Sequence, residues 1–132
     1  LPTSKKAVLN IMCSLITEPK LLVLDNILSS LDKSDLDITL NVLNEYKKNG
    51  LIIFNFTTDI ESSLFGDEII ITDKEKIIVS GKTMSVLNEE KIMKRLGLGL
   101  PFIVMLNKYL IDYNLIDNYI LEYKTLGGKL WK

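Results

Sequence analysis

Over residues 4–17 the apolar side chains Val8, Leu9, Ile11, Met12, Leu15 and Ile16 recur at helical spacing and cover a wide face. Pro2, Thr3 and Ser4 supply the signals that open a helix there, and Glu18-Pro19-Lys20 ends it. Next comes an unbroken apolar run, Leu21-Leu22-Val23-Leu24, which stops at Asp25. Such a run predicts a parallel strand buried on both faces. After a polar turn over residues 29–32, Leu36, Leu40, Leu43 and Tyr46 return to helical spacing until Asn49-Gly50 closes the element. A second apolar strand is predicted over residues 51–56. Strand, helix, strand with both strands apolar throughout is the pattern of a crossover in a parallel α/β sheet.

The pattern then shortens. Thr57-Thr58-Asp59 carries cap-forming side chains ahead of a short helix over 60–65 that ends near Gly66. Two strands, 68–72 and 76–80, flank Asp73-Lys74-Glu75, too short a link for a parallel pair, so the sheet is expected to finish antiparallel. One helical turn over 83–87 and an amphipathic helix over 88–96, stopped by Gly97, complete residues 1–97 as one predicted domain. From Leu98 the character changes. Pro101 opens a helix through Tyr113, and a last short helical piece is expected before Gly127-Gly128. Residues 98–132 form a predicted helical extension, with Phe102, Ile103, Leu106, Tyr109, Leu110 and Tyr113 as its apolar stripe.

Composition narrows the chemistry. Sixteen basic against seventeen acidic residues leave a net charge of −1, with no broad basic field for nucleic acid or anionic lipid. No apolar run approaches the roughly 20 residues of a membrane span. There is no histidine, which removes Ser-His-Asp, Cys-His and His-based metal chemistry. Cys13 is the single cysteine and is expected in the core, and the absence of a leader pattern points to a reducing cytoplasm.

Asp25 stands where a buried strand emerges at its carboxyl end, and Thr57, Thr58 and Asp59 stand at the same end of the next strand. That edge is where open α/β sheets bind ligands, although the same residues can simply cap turns. Their order and spacing carry more. Leu1-Pro2-Thr3-Ser4-Lys5, then 21–26, then Ser29-Ser30-Leu31-Asp32, then Phe56-Thr57-Thr58-Asp59 resemble the successive motifs of an ABC ATPase. Those are a signature LSGGQ opening a helix, a Walker B strand ending in Asp-Glu, a D-loop SALD and a switch strand ending in Thr-His-Asp. Leu96-Gly97-Leu98-Gly99-Leu100-Pro101-Phe102 is similar to the start of the C-terminal extension in the energy-coupling-factor and cobalt-importer branch. The resemblance implies an α/β fold, the C-terminal part of a P-loop ABC ATPase domain, with a mostly parallel core, an antiparallel hairpin and a helical extension.

It also implies ATP and Mg²⁺ as the family's cofactors, with Asp25, Thr3, Ser4, Lys5, Ser30 and Asp32 as nucleotide-facing residues and Asp25 holding Mg²⁺ through water. Implied partners are a second ABC ATPase subunit, identical or related, and a membrane transport component at the inner face of the cell membrane; nucleic acid is not among them. Several positions depart from the pattern. No G-x-x-x-x-G-K-[ST] loop is present to cradle phosphates. Asn26 stands where the family keeps the Glu that handles the attacking water, and Thr58 stands in place of the switch histidine. Pro2 replaces the signature Ser, and Thr3 and Ser4 replace both of its glycines. Lys5 and Lys6 either attract an anion at the helix start or form a solvated first turn. This chain alone is expected to be inactive and to bind no nucleotide tightly. The leading expectation is a catalytically degenerate portion of an importer's ATP-binding subunit. The alternative is a noncatalytic dimerisation or regulatory domain on the same fold; a chromosome-maintenance or repair ATPase shares the core motifs but gives no reason for the extension.

Overall fold

The computed structural model describes residues 1–131 and divides into two compact units, Leu1–Gly66 and Asp67–Lys132. In the first, helix α1 (Thr3–Leu15) leads into strand β1 (Leu21–Asp25), a 3-10 turn (Leu28–Ser30), helix α2 (Lys33–Lys48), strand β2 (Ile52–Phe56) and a second 3-10 turn (Glu61–Phe65). β1 and β2 pair in parallel, with Leu21 opposite Ile52, Val23 opposite Phe54 and Asp25 opposite Phe56. Both predicted strands and the helix between them are therefore present. The core gathers Ile11 and Leu15 from α1, Leu22 and Leu24 from β1, Leu28, Leu43 from α2, and Leu51.

Two expectations fail here. Cys13 is exposed rather than in the core. It lies two residues from both Ile11 and Leu15, which are buried, and so falls on the far side of α1. Nor is the parallel pair buried on both faces. The strand positions that alternate with Leu22 and Leu24 are open, with Val23 55% and Phe56 59% exposed and Leu21, Ile52 and Phe54 in the same state. A strand that is apolar at every position reads as two-sided burial, but the helices of this unit supply partners for one face only.

The second unit holds a hairpin of β3 (Glu68–Asp73) and β4 (Lys76–Lys82), followed by α3 (Thr83–Leu87), α4 (Glu90–Arg95), α5 (Phe102–Asp112) and α6 (Tyr123–Leu130). The hairpin is antiparallel as predicted, but it forms its own two-stranded sheet rather than continuing the parallel one. The last helix runs through Gly127-Gly128 instead of stopping before them. The expected stripe on α5 divides. Ile103 is buried with Val104 and Asn107, whereas Phe102, Tyr109 and Tyr113 are exposed together with Met105.

Three helices end in the same way, and the sequence explains each. After α2, Gly50 (φ +97°) donates its N–H to Lys47 O at 3.0 Å and Leu51 donates to Tyr46 O at 3.0 Å. Gly97 and Leu98 close α4 likewise, and Asn114 (φ +55°) with Leu115 closes α5. A residue in the left-handed region just past the helix satisfies its last carbonyls, and glycine or asparagine reaches that region at least cost.

Candidate functional site

The first unit brings the predicted site residues together in two groups. The first lies at the carboxyl ends of β1 and β2. Asp25 ends β1 with its side chain exposed, in register with Phe56. Asn26 follows in the left-handed region (φ +50°), a conformation that asparagine tolerates better than most residues. Its N–H donates to Phe56 O at 2.9 Å, which carries the parallel ladder one residue past the strand. Its side-chain Oδ1 accepts from the Thr58 N–H at 3.3 Å. The two positions that the sequence singles out, 26 and 58, are thus hydrogen-bonded to each other through neutral groups.

Their neighbours are occupied by local capping. Thr57 Oγ1 accepts from the Asp59 N–H at 3.0 Å, while the Asp59 carboxylate accepts from the Glu61 N–H at 3.1 Å and the Ser62 hydroxyl at 2.9 Å. Ser29 and Ser30 hydroxyls donate to the carbonyls of Asn26 and Ile27, each at 2.7 Å. These bonds set the shape of the edge and leave Asp25 as the carboxylate presented there.

The second group joins the start of α1 to the start of α2. Asp32 caps α2, its Oδ1 accepting from the Asp35 N–H at 2.9 Å. The Ser4 hydroxyl accepts from the Asp32 N–H at 3.0 Å and donates to Asp35 Oδ2 at 2.6 Å, and Lys5 forms an ion pair with Asp35 Oδ1. Thr3 is exposed in the first turn of α1. Asp35 itself is 3% exposed. The Lys5 ammonium, and after it the Ser4 hydroxyl, hold its carboxyl below the usual carboxylate range against the opposing effect of burial. Asp35 raises the Lys5 ammonium in return. Sequence reasoning passed over Asp35, because an Asp in a helix's first turn is ordinary there and nothing in the periodicity marks it as inward-facing.

The fit to a nucleotide is incomplete. Among the described residues no group of three or more His, Cys, Asp or Glu converges on a metal position. A cleft beside Asp25, between α1 and β1 and lined by Asn10, Ser14 and Val23, encloses about 120 Å³. That is below the roughly 300 Å³ at which ligand pockets begin. Asp25 could serve as one outer ligand to a hydrated cation.

No protein-family model matches the chain. Among curated proteins it is 34% identical over 94 residues to the energy-coupling factor transporter ATP-binding protein EcfA1 of Lactobacillus johnsonii, covering 70% of this chain and 33% of that one. It is 25% identical over 120 residues to EcfA1 of Lactobacillus delbrueckii subsp. bulgaricus, covering 89% of this chain and 43% of the relative. Among solved structures it is similar to CbiO1 of Clostridium perfringens, described as part of the ABC transporter complex CbiONQ. There the TM-score is 0.50 and the identity 28%, covering 71% of this chain and 38% of that one. The chain thus spans between a third and under a half of the length of these proteins.

Proposed function

The chain is homologous to a segment of the ATP-binding subunits of energy-coupling factor transporters, and from that premise we propose that it is a catalytically degenerate portion of such a subunit. The observation that carries the reading is the Asn26 to Thr58 contact at the carboxyl ends of β1 and β2. A side-chain amide cannot take a proton from water near neutral pH, and a threonine hydroxyl brings no charge to a phosphate. The site built on these residues therefore lacks a base and a cationic contact at the two positions where the family resemblance expects them. Asp25 remains as an outer ligand for Mg²⁺ when a nucleotide is supplied by other parts of a subunit.

In this reading the chain works beside a second ATP-binding subunit, identical or related, and a membrane component. None of the helices of the described residues is long and apolar enough to cross a membrane, and the proposal assigns attachment at the inner face to that component. Residues 98–132 act as an extension whose exposed Phe102, Met105, Tyr109 and Tyr113 suit protein contact. That same exposed stripe favours the second reading, a noncatalytic dimerisation or regulatory domain on the ATPase fold.

Calorimetry of the 132-residue chain with Mg-ATP tests the nucleotide side of the proposal. No specific heat of binding is expected, because a lone exposed carboxylate and the start of a helix do not replace a phosphate loop. A saturable micromolar site that disappears in Asp25→Ala would show that the chain binds nucleotide by itself and would refute the expectation.

A further inference from the structure

We propose that Ser4, Asp32 and Asp35 form a latch that makes the first turn of α1 and the turn leading into α2 move as one piece. The bonds close a ring. Ser4 donates to the Asp35 carboxylate, the Asp32 N–H donates back to the Ser4 oxygen, and the Asp35 N–H donates to the Asp32 carboxylate. Lys5 adds its charge to the free oxygen of Asp35. Every member both gives and receives a hydrogen bond, two of the three bonds span a sequence gap of about thirty residues, and such rings strengthen cooperatively in a partly dry setting.

The chemistry of position 4 is specific. One hydroxyl must donate to a carboxylate and accept from a backbone N–H at the same time, which Ser and Thr can do and Gly or Ala cannot. A buried carboxylate without those donors carries a heavy desolvation cost, so Asp35 holds the ring shut rather than merely joining it. The latch deepens the proposed function and rests on it for its meaning. If these two segments face a nucleotide or a partner subunit, they engage and disengage together, and Ser4 and Lys5 are committed to their own chain until the ring opens.

Amide hydrogen exchange on the full 132-residue chain tests this without any nucleotide, so its outcome is independent of the transporter reading. The decisive amides lie across the ring from each change: Asp35 in α2 for Ser4→Ala, and Lys6 in α1, whose N–H bonds to Pro2 O at 3.0 Å, for Asp35→Asn. Each is expected to exchange about fivefold faster, the factor one hydrogen bond of ordinary net strength supplies. The double variant is expected to show no more than the larger single effect, Ser4→Thr to exchange as the parent does, and the Asn26 amide in the ladder to stay unchanged in all. Effects confined to the mutated element, or adding independently in the double variant, would overturn the latch. Should Asp35→Asn fail to fold, Ser4→Ala against Ser4→Thr, read at the Asp35 amide, still decides.

Discussion

A buried carboxylate keeps its charge only in the company of donors, and Asp35 has two on α1 and none to spare. Because its folded-state pKa is lowered, chiefly by Lys5 and then by Ser4, its contribution to stability is present above its unfolded value near pH 4 and is lost as the pH falls through the lower folded value. Lys5, raised by Asp35, behaves in the opposite sense. Its contribution is full below its unfolded value of about 10.4 and is lost as pH rises through the higher folded value. Glu90, held down by Lys108, adds a second acid-side dependence. Denaturant melts of the parent and of Asp35→Asn between about pH 5 and 2 separate the two carboxylates. The parent should lose stability more steeply than the variant; parallel curves would mean that Asp35 is not paired as described. None of this was legible in the sequence. Asp35 looks like any acidic residue in a helix's first turn, and only the side chains delivered from thirty residues upstream show that it faces inward.

At the scale of elements, Asn107 is the second polar residue that the pattern hides. It lies among Ile103, Val104 and Leu106 on α5, fully buried, and its side chain takes the place of a strand neighbour. Nδ2 donates to Ile103 O at 2.7 Å and to Ile120 O at 3.0 Å, while Oδ1 accepts from the Ile120 N–H at 2.6 Å. Asn107→Ala leaves both backbone groups of Ile120 without partners, and a loss of about 1–3 kcal/mol is expected from chemical denaturation. A change within error would mean that the 114–120 segment is held by other contacts. The opposite face of α5 tests the extension. Phe102, Met105 and Tyr109 lie at i, i+3 and i+7 and are exposed, so Tyr109→Glu should leave folding intact while weakening any self-association seen by light scattering. An association that survives Tyr109→Glu and Phe102→Glu would place the contact elsewhere. The sequence did predict this helix from its period, but not which of its apolar residues face inward, because the stripe is wide enough to permit several rotations.

For the whole molecule, what could be read in advance was the order of elements. Apolar runs of three or four residues and helical spacing between them, punctuated by Pro19, Gly50, Gly66 and Gly97, place the strands and helices of the first unit and the hairpin of the second within a few residues. Burial was harder, since Leu21, Val23 and Phe54 are as apolar as Leu22 and Leu24, and hydrophobicity alone does not say which side finds a partner. The positions at the edge where β1 and β2 end were legible, because Asn26 and Thr58 stand in the register of a recognisable pattern, and the structure joins them by one hydrogen bond. The central claim is that this edge does not hydrolyse ATP. Its most direct test is single-turnover hydrolysis in an assembly of the whole protein with a second ATP-binding subunit whose own site has been inactivated. The loss of a positioned base commonly lowers the rate by about 10²–10⁴-fold, so the unaltered site should show no turnover above background. Asn26→Glu alone should recover little and Asn26→Glu with Thr58→His more, because members of one catalytic unit act together. Turnover by the unaltered site at the rate of the doubly restored one would mean that another residue supplies the base, and would contradict the account.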